Sequence, residues 1–386
     1  MKLNAILKAF TCTAVLAVSL GGAVAHAQET IKVGVLLSLT GPAASFGIPE
    51  RDVVKIMADK INAEGGIKGR KLELIYHDEQ TNPTETARGA SKLIQQDKVV
   101  AIVGPTIGSG ALAMLPIAAK NEVPVLAPVG TISVTNKEHA FFPWVFRTCT
   151  NDEVLVSASL NHLIRKPGYK RLAVMYQEDA YGKNALIYAQ KFAKDYGIEI
   201  VSTVGAPANA VDLSAAATKI RNANPDSVLL WTSTPGMGAA FMRSARQVEL
   251  KVPVVGSGAL VQRAFVEAGG AAVEGVNIMS LVNWDDPSPK AARLGKLLRD
   301  NGKIPAGFSE LLTASGMIAL TEALKKIDGP VTGRAIRDAL EKVCIDSNDY
   351  VQGRICYTND SHEGFGEDAL RPVVVKGGKF ITVTGH

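Results

Sequence analysis

The residues best placed to do chemistry sit in one glycine-rich turn, Gly104-Pro105-Thr106-Ile107-Gly108-Ser109-Gly110. Backbone N–H groups at the start of a helix hold an anion without any cation. Gly108-Ser109-Gly110-Ala111-Leu112-Ala113 formally fits the dinucleotide fingerprint G-x-G-x-x-A. That fingerprint needs an acid at the end of the next strand, where this chain has Ala127-Pro128. It also belongs to the first strand–helix turn, and this is the third. Ser109 lacks the G-x-S-x-G spacing of a nucleophile elbow, and nothing in the sequence selects His139, His162 or His362 as its base. Two readings stay open: an anion-holding turn without catalysis, or a plain connection. His77, Asp78 and Glu79 alternate faces at a strand end and are expected in a solvated turn. With no H-x-x-x-H or C-x-x-C spacing, neither a metal site nor a cofactor is expected.

Such a turn binds ligands at the carboxyl end of a strand in an open α/β sheet, and its surroundings supply one. Residues 99–103 and 123–127 are short apolar, β-branched runs suited to buried parallel strands, with a helix expected over 111–121. Upstream, 31–37 reads as a strand, 39–47 as a loop, 50–62 as a helix, 63–70 as a turn and 71–77 as a strand. A further helix runs from Asn82-Pro83 to Gln96. Phe46, an aromatic in a Gly/Pro-rich loop, has little core to join and is expected on a cleft wall.

The pattern then restarts. Strands at 171–176, 198–204, 227–231 and 252–255 alternate with helices at 181–195, 213–222 and 237–247. Two similar series imply an α/β fold of two doubly wound lobes of like architecture with the small-molecule site between them. Helices at 287–301, 309–327 and 332–343 are expected to return to the first lobe, and strands over 371–384 to the second. The expected division is 28–149 with 282–365, and 150–281 with 366–386. Three crossings between lobes favour a hinge.

Residues 1–27 read as a secretory leader, with Lys2 and Lys8, an apolar core over 14–20 and Ala25-His26-Ala27 at the cleavage site. Export to the periplasm is expected, with cleavage near Ala27. The formal charge of +5 falls to +3 once Lys2 and Lys8 leave, too balanced for nucleic acid. No later stretch reaches the roughly 20 apolar residues of a membrane span. Of the three cysteines that remain, Cys344 and Cys356 flank an Asp/Asn/Gly-bearing turn and suit a disulfide. Cys149 reads as a small buried hydrophobe.

IKVGVLLSLTGPAASFG, INAEGGIKGRKLELIYHDEQTNP, VVAIVGPTIGSG, VPVLAPVGT, FRTCTNDE and EDAYGKNAL follow one another in this order. Together they resemble the periplasmic leucine/isoleucine/valine-binding proteins, the type I solute-binding subunits of ABC importers. The likeness implies two Rossmann-like lobes on a three-segment hinge that close on a small amino acid or a related carboxylate or amide. It implies delivery to an ABC permease in the inner membrane, by a monomer and without catalysis. A ligand-sensing receptor subunit is the alternative role in the same architecture.

The resemblance assigns the α-carboxylate to Gly108 and Ser109 of one loop and Val129 and Thr131 of another, with the adjoining Ile107 and Gly130 also expected at the ligand. It assigns the ammonium to Asp152, and ligand contacts to Tyr181 and Phe46. Asn151-Asp152-Glu153 is also an ordinary capping cluster. Two positions depart from the pattern: Ser233 stands where a tyrosine is expected, and Gly258 where a second acid is expected. An unpaired buried ammonium costs several kcal/mol, so the change leaves room for a ligand without one. Trp231 suits an aromatic acid, although a strand-end tryptophan more often packs.

Overall fold

The computed structural model describes residues 30–383 except 347–348 and 351–352. The expected leader, the middle of the turn between Cys344 and Cys356, and Thr384 lie outside the described residues.

The first half builds β1 (Ile31–Leu37), α1 (Ala44–Ala63), β2 (Leu72–Asp78), α2 (Pro83–Gln95), β3 (Ala101–Val103), α3 (Gly108–Lys120), β4 (Val125–Ala127) and β5 (Val145–Arg147). Every residue of β3, β4 and β5 is buried, as strands covered on both faces require. The parallel sheet has the order β2-β1-β3-β4-β5.

The chain then forms α4 (Asp152–Leu160), β6 (Arg171–Gln177), α5 (Ala180–Asp195), β7 (Glu199–Ala206), α6 (Ser214–Asn222), β8 (Ser227–Trp231), α7 (Pro235–Gln247), β9 (Val254–Gly256), α8 (Arg263–Gly269) and β10 (Asn277–Ser280). Next come α9 (Pro289–Asp300), α10 (Ser309–Lys325), α11 (Gly333–Leu340), the short pair β11 (Cys344–Ile345) and β12 (Ile355–Cys356), and the hairpin β13 (Arg371–Lys376) and β14 (Lys379–Thr382). The second sheet runs β14-β13-β10-β9-β8-β6-β7, with the hairpin antiparallel at its edge.

Leu294 of α9, Met317 and Leu320 of α10 and Ile336 of α11 share a core with Val53 and Met57 of α1. Those helices therefore cover the first sheet, while α2 and α3 cover its other face through Leu93, Met114 and Leu115. The chain passes between the sheets three times: between β5 and α4, between β10 and α9, and just ahead of β13.

Several expectations change. The helix expected from residue 50 begins at Ala44, so Phe46, Gly47 and Pro49 are helical. Gly47 does not break the helix but lets it rest on β1's end: a Cβ there would stand 2.0 Å from the Ser38 carbonyl oxygen. Pro49 is the sixth residue of the helix and leaves one carbonyl of the first turn without its ladder partner. Likewise α3 begins at Gly108 rather than at residue 111. A Cβ on Gly108 would fall 1.9 Å from Thr131 Oγ1, and one on Gly110 2.7 Å from Thr86 Oγ1, so both are close-contact glycines. Glu79 is fully buried, not solvated: its carboxyl accepts from Ser38 Oγ at 2.7 Å, Thr86 Oγ1 at 3.0 Å and Thr106 N–H at 3.0 Å. β5 and β10 have no counterpart in the sequence pattern. Cys344 and Cys356 are disulfide-bonded opposite one another in the β11–β12 pair, and Cys149 is a free, buried thiol.

Candidate ligand site between the lobes

Turns at the carboxyl ends of the first-lobe strands face those of the second across a cavity of about 70 Å³. It has room for a few waters or, with modest opening, a small organic ligand. Ile107 and Gly108 bring the start of α3 to it, and Val129, Gly130 and Thr131 the turn after β4. Phe46 comes from the first turn of α1, Tyr181 from that of α5, and Ser233 and Gly258 from the turns after β8 and β9. Ser109 and Asp152 are not in the wall.

Asn151, not Asp152, caps α4, its side chain accepting from Val154 N–H at 2.9 Å. Asp152 is fully buried directly behind Gly130: its N–H donates to the Gly130 carbonyl at 2.8 Å, and a Cβ on Gly130 would stand 2.8 Å from Asp152 Oδ1. Neither carboxyl oxygen has a well-aligned hydrogen-bond partner. Burial pushes its pKa up to about 8 against the opposing pull of Arg147.

The unpartnered groups beside Asp152 are hydroxyls and backbone amides, all able to donate. Thr131 Oγ1 and Thr150 Oγ1 are buried without partners among the described residues. Among the described residues, no protein acceptor takes the N–H of Gly130 or Thr131, and the first-turn amides of α3 have none within the helix. Buried polar groups are almost always satisfied, so this cluster marks a place for an acceptor. In the second lobe the Tyr181 ring lies 5.8 Å from Trp231, which is buried in the core and is not in the wall. Ser233 Oγ accepts from Gln177 Nε2 at 2.8 Å and donates to Asp179 at 3.3 Å. Gly258 exposes only backbone, and a Cβ there would meet the Met279 carbonyl at 3.3 Å.

Sequence reasoning missed Glu50, Thr106, Cys149, Thr150 and Phe308, all in the wall. Glu50 had a signal: it shares the buried face of α1 with Phe46, Val53, Val54 and Met57. Its Oε2 accepts from Thr106 Oγ1 at 2.7 Å, and burial pushes its pKa up to about 8. Phe308 packs edge-on against Phe46 at 5.6 Å from a distant segment, and no local pattern announces that. The three histidines lie elsewhere: His362 is buried against the carbonyls of Phe142 and Val145, His162 pairs with Glu367, and His139 stacks on Phe141.

The model of the periplasmic binding protein family matches residues 30–379. The chain belongs to that family. A Leu/Ile/Val-binding protein of Rhizobium johnstonii is 26% identical over 333 residues, covering 86% of this chain and 88% of its own length. An extracellular ligand-binding receptor of Rhodopseudomonas palustris has the same fold, with a TM-score of 0.84 at 22% identity over 92% of this chain and all of its own. So has an ABC-transporter solute-binding protein of R. palustris solved with benzoate, at a TM-score of 0.81, 22% identity, and 92% and 95% coverage. This family member is therefore a solute-binding protein and not an enzyme, similar to relatives named for leucine, isoleucine and valine. Its relatives are periplasmic and take small-molecule ligands.

Proposed function

We propose that this protein, exported to the periplasm as a monomer, captures a small amino acid or a related carboxylate or amide in the cleft and delivers it to an ABC permease. Residues 28–149 with 282–365 close against 150–281 with 366–386. The observation that carries this reading is the set of buried, unpartnered donors around Thr131 and Thr150, facing a cavity whose wall holds no cationic side chain among the described residues. Such donors complement a carboxylate. Ligand contacts with both lobes favour the closed form, and the permease reads that form.

Gly258 and Ser233 refine the reading. The second-lobe wall offers backbone, the Thr150 and Tyr181 hydroxyls, the already engaged Ser233 hydroxyl and the side chains of Leu155 and Met279, with no carboxylate among the described residues, which suits an apolar or aromatic acid better than an ammonium. A thermal-shift screen of branched-chain amino acids, aromatic acids, short amides and dicarboxylates tests this. A ligand at a hundred times its Kd stabilises by about 2.7 kcal/mol. A clear shift with leucine or valine overturns the refinement; no shift with any member overturns the carboxylate reading.

A further inference from the structure

Arg147, the last residue of β5, is wholly buried. A buried cation is costly unless all its donors are used, and the partners of this one are specific. Nε donates to Glu363 Oε2 at 3.0 Å, and the guanidinium helps hold the half-buried Glu363 carboxyl below the usual range. The other arms of the fork reach the cavity loop from behind. Nη1 donates to the Val129 carbonyl, and Nη2 to the Thr131 carbonyl at 2.9 Å and the Thr135 hydroxyl at 2.7 Å. The carbonyl between them, on Gly130, is taken by Asp152 N–H at 2.8 Å.

A trans peptide points its N–H away from its carbonyl. Turning the Val129 carbonyl toward Arg147 therefore turns the Gly130 N–H away from it, and the grip of Asp152 on Gly130 does the same for the Thr131 N–H. Gly130 and Thr131 both line the cavity, and their amides have no protein acceptor among the described residues. Arg147 itself is not in the wall.

We infer that Arg147 is the positioning residue of the anion-holding loop: its planar fork, anchored by Glu363, holds the Val129 and Thr131 carbonyls on either side of the peptide that Asp152 grips, so that the Gly130 and Thr131 N–H groups between them face a carboxylate. This rests on the carboxylate reading proposed above. A lysine carries the same charge but has three N–H donors on a single nitrogen, too few and too close together to hold Glu363, two carbonyls and a hydroxyl at once, so shape and not charge alone sets the effect.

The test uses protein labelled with 15N at glycine and threonine, titrated with formate, the smallest carboxylate, and with formamide as its neutral counterpart. In the unaltered protein, formate shifts the Gly130 and Thr131 amide resonances, and formamide binds at least about tenfold more weakly. Arg147→Met combined with Glu363→Gln removes both charges together, which avoids stranding one of them. It is expected to weaken formate binding about tenfold or more while leaving formamide within about twofold. Arg147→Lys is expected not to restore formate binding. Thr135→Val loosens one arm of the fork without stranding a charge and is expected to weaken formate several-fold, which keeps the test intact if the double variant does not fold. Unchanged formate binding in either variant, or full rescue by lysine, overturns the assignment. If a carboxylate from the screen binds but formate leaves Gly130 and Thr131 unmoved, the assignment falls and the carboxylate reading stands; if no carboxylate binds, both fall.

Discussion

Thr131 is the residue on which recognition depends most directly. Its hydroxyl is buried against Gly108 and has no partner among the described residues. A hydrogen bond to a charged group contributes about 1.5–3 kcal/mol, so Thr131→Ala is expected to weaken a carboxylate ligand about ten- to hundredfold by calorimetry. Asp152→Asn gives the contrasting result. With its carboxyl pushed up to about 8 and no second acid at Gly258, the substitution is expected to change affinity little for a ligand without an ammonium. The buried acids also set the response to pH. Glu50 and Asp152 are raised by burial to about 8, and Glu79 and Glu310 to about 7. A carboxyl whose folded pKa is raised contributes stability that is complete below about pH 4 and is lost as pH rises through the folded pKa. Denaturant melts of the free protein are therefore expected to show falling stability from pH 5 to pH 9, with a shallower fall in Glu50→Gln. Gly108, Thr131 and Tyr181 line the cavity, and the sequence points to them through the resemblance, whose matching motifs are local turns. Glu50 was half-legible as an acid on an apolar helix face, and Phe308 illegible, because packing across the chain places it in the wall.

Among the elements, the helix starts separate what local signals reveal from what they hide. The sequence places strand, turn and helix around residues 99–127 correctly, yet treats Gly47, Gly108 and Gly110 as breakers. Each is instead a point where the helix start approaches another element too closely for a Cβ, a requirement set by the partner. Gly47→Ala is expected to lower stability by about 1–3 kcal/mol, the usual cost of overpacking, read in denaturant melts. Gly108→Ala pushes on Thr131 and is expected to weaken carboxylate binding with less effect on the melt. Short strands such as β5 and β10 have too few residues to declare a period, which is why they had no counterpart in the pattern although β5 ends on Arg147. The bond between Cys344 and Cys356 closes a short loop over β11 and β12. Replacing both by serine is expected to lower stability by about 2–4 kcal/mol, read by melting with and without reductant.

For the whole molecule, the alternation of two βα series made the two-lobe architecture legible. The later helices were assigned to the first lobe because neither lobe closes without them, and Met317, Leu320 and Ile336 do pack beneath α1. What composition and periodicity do not give is the ligand, since one fold serves relatives named for branched-chain amino acids and a structure holding benzoate. The choice lies in the second-lobe wall, where Ser233 and Gly258 leave backbone and an engaged hydroxyl opposite the donors of the first lobe. The most direct test is a calorimetric titration of the unaltered protein and of Thr131→Ala with whichever small carboxylate gives the largest thermal shift. Saturable binding in the first, weakened at least about tenfold in the second, is the expected result. Equal binding by the two proteins, or the absence of any carboxylate that binds, would contradict a first-lobe anion site at the centre of the cleft.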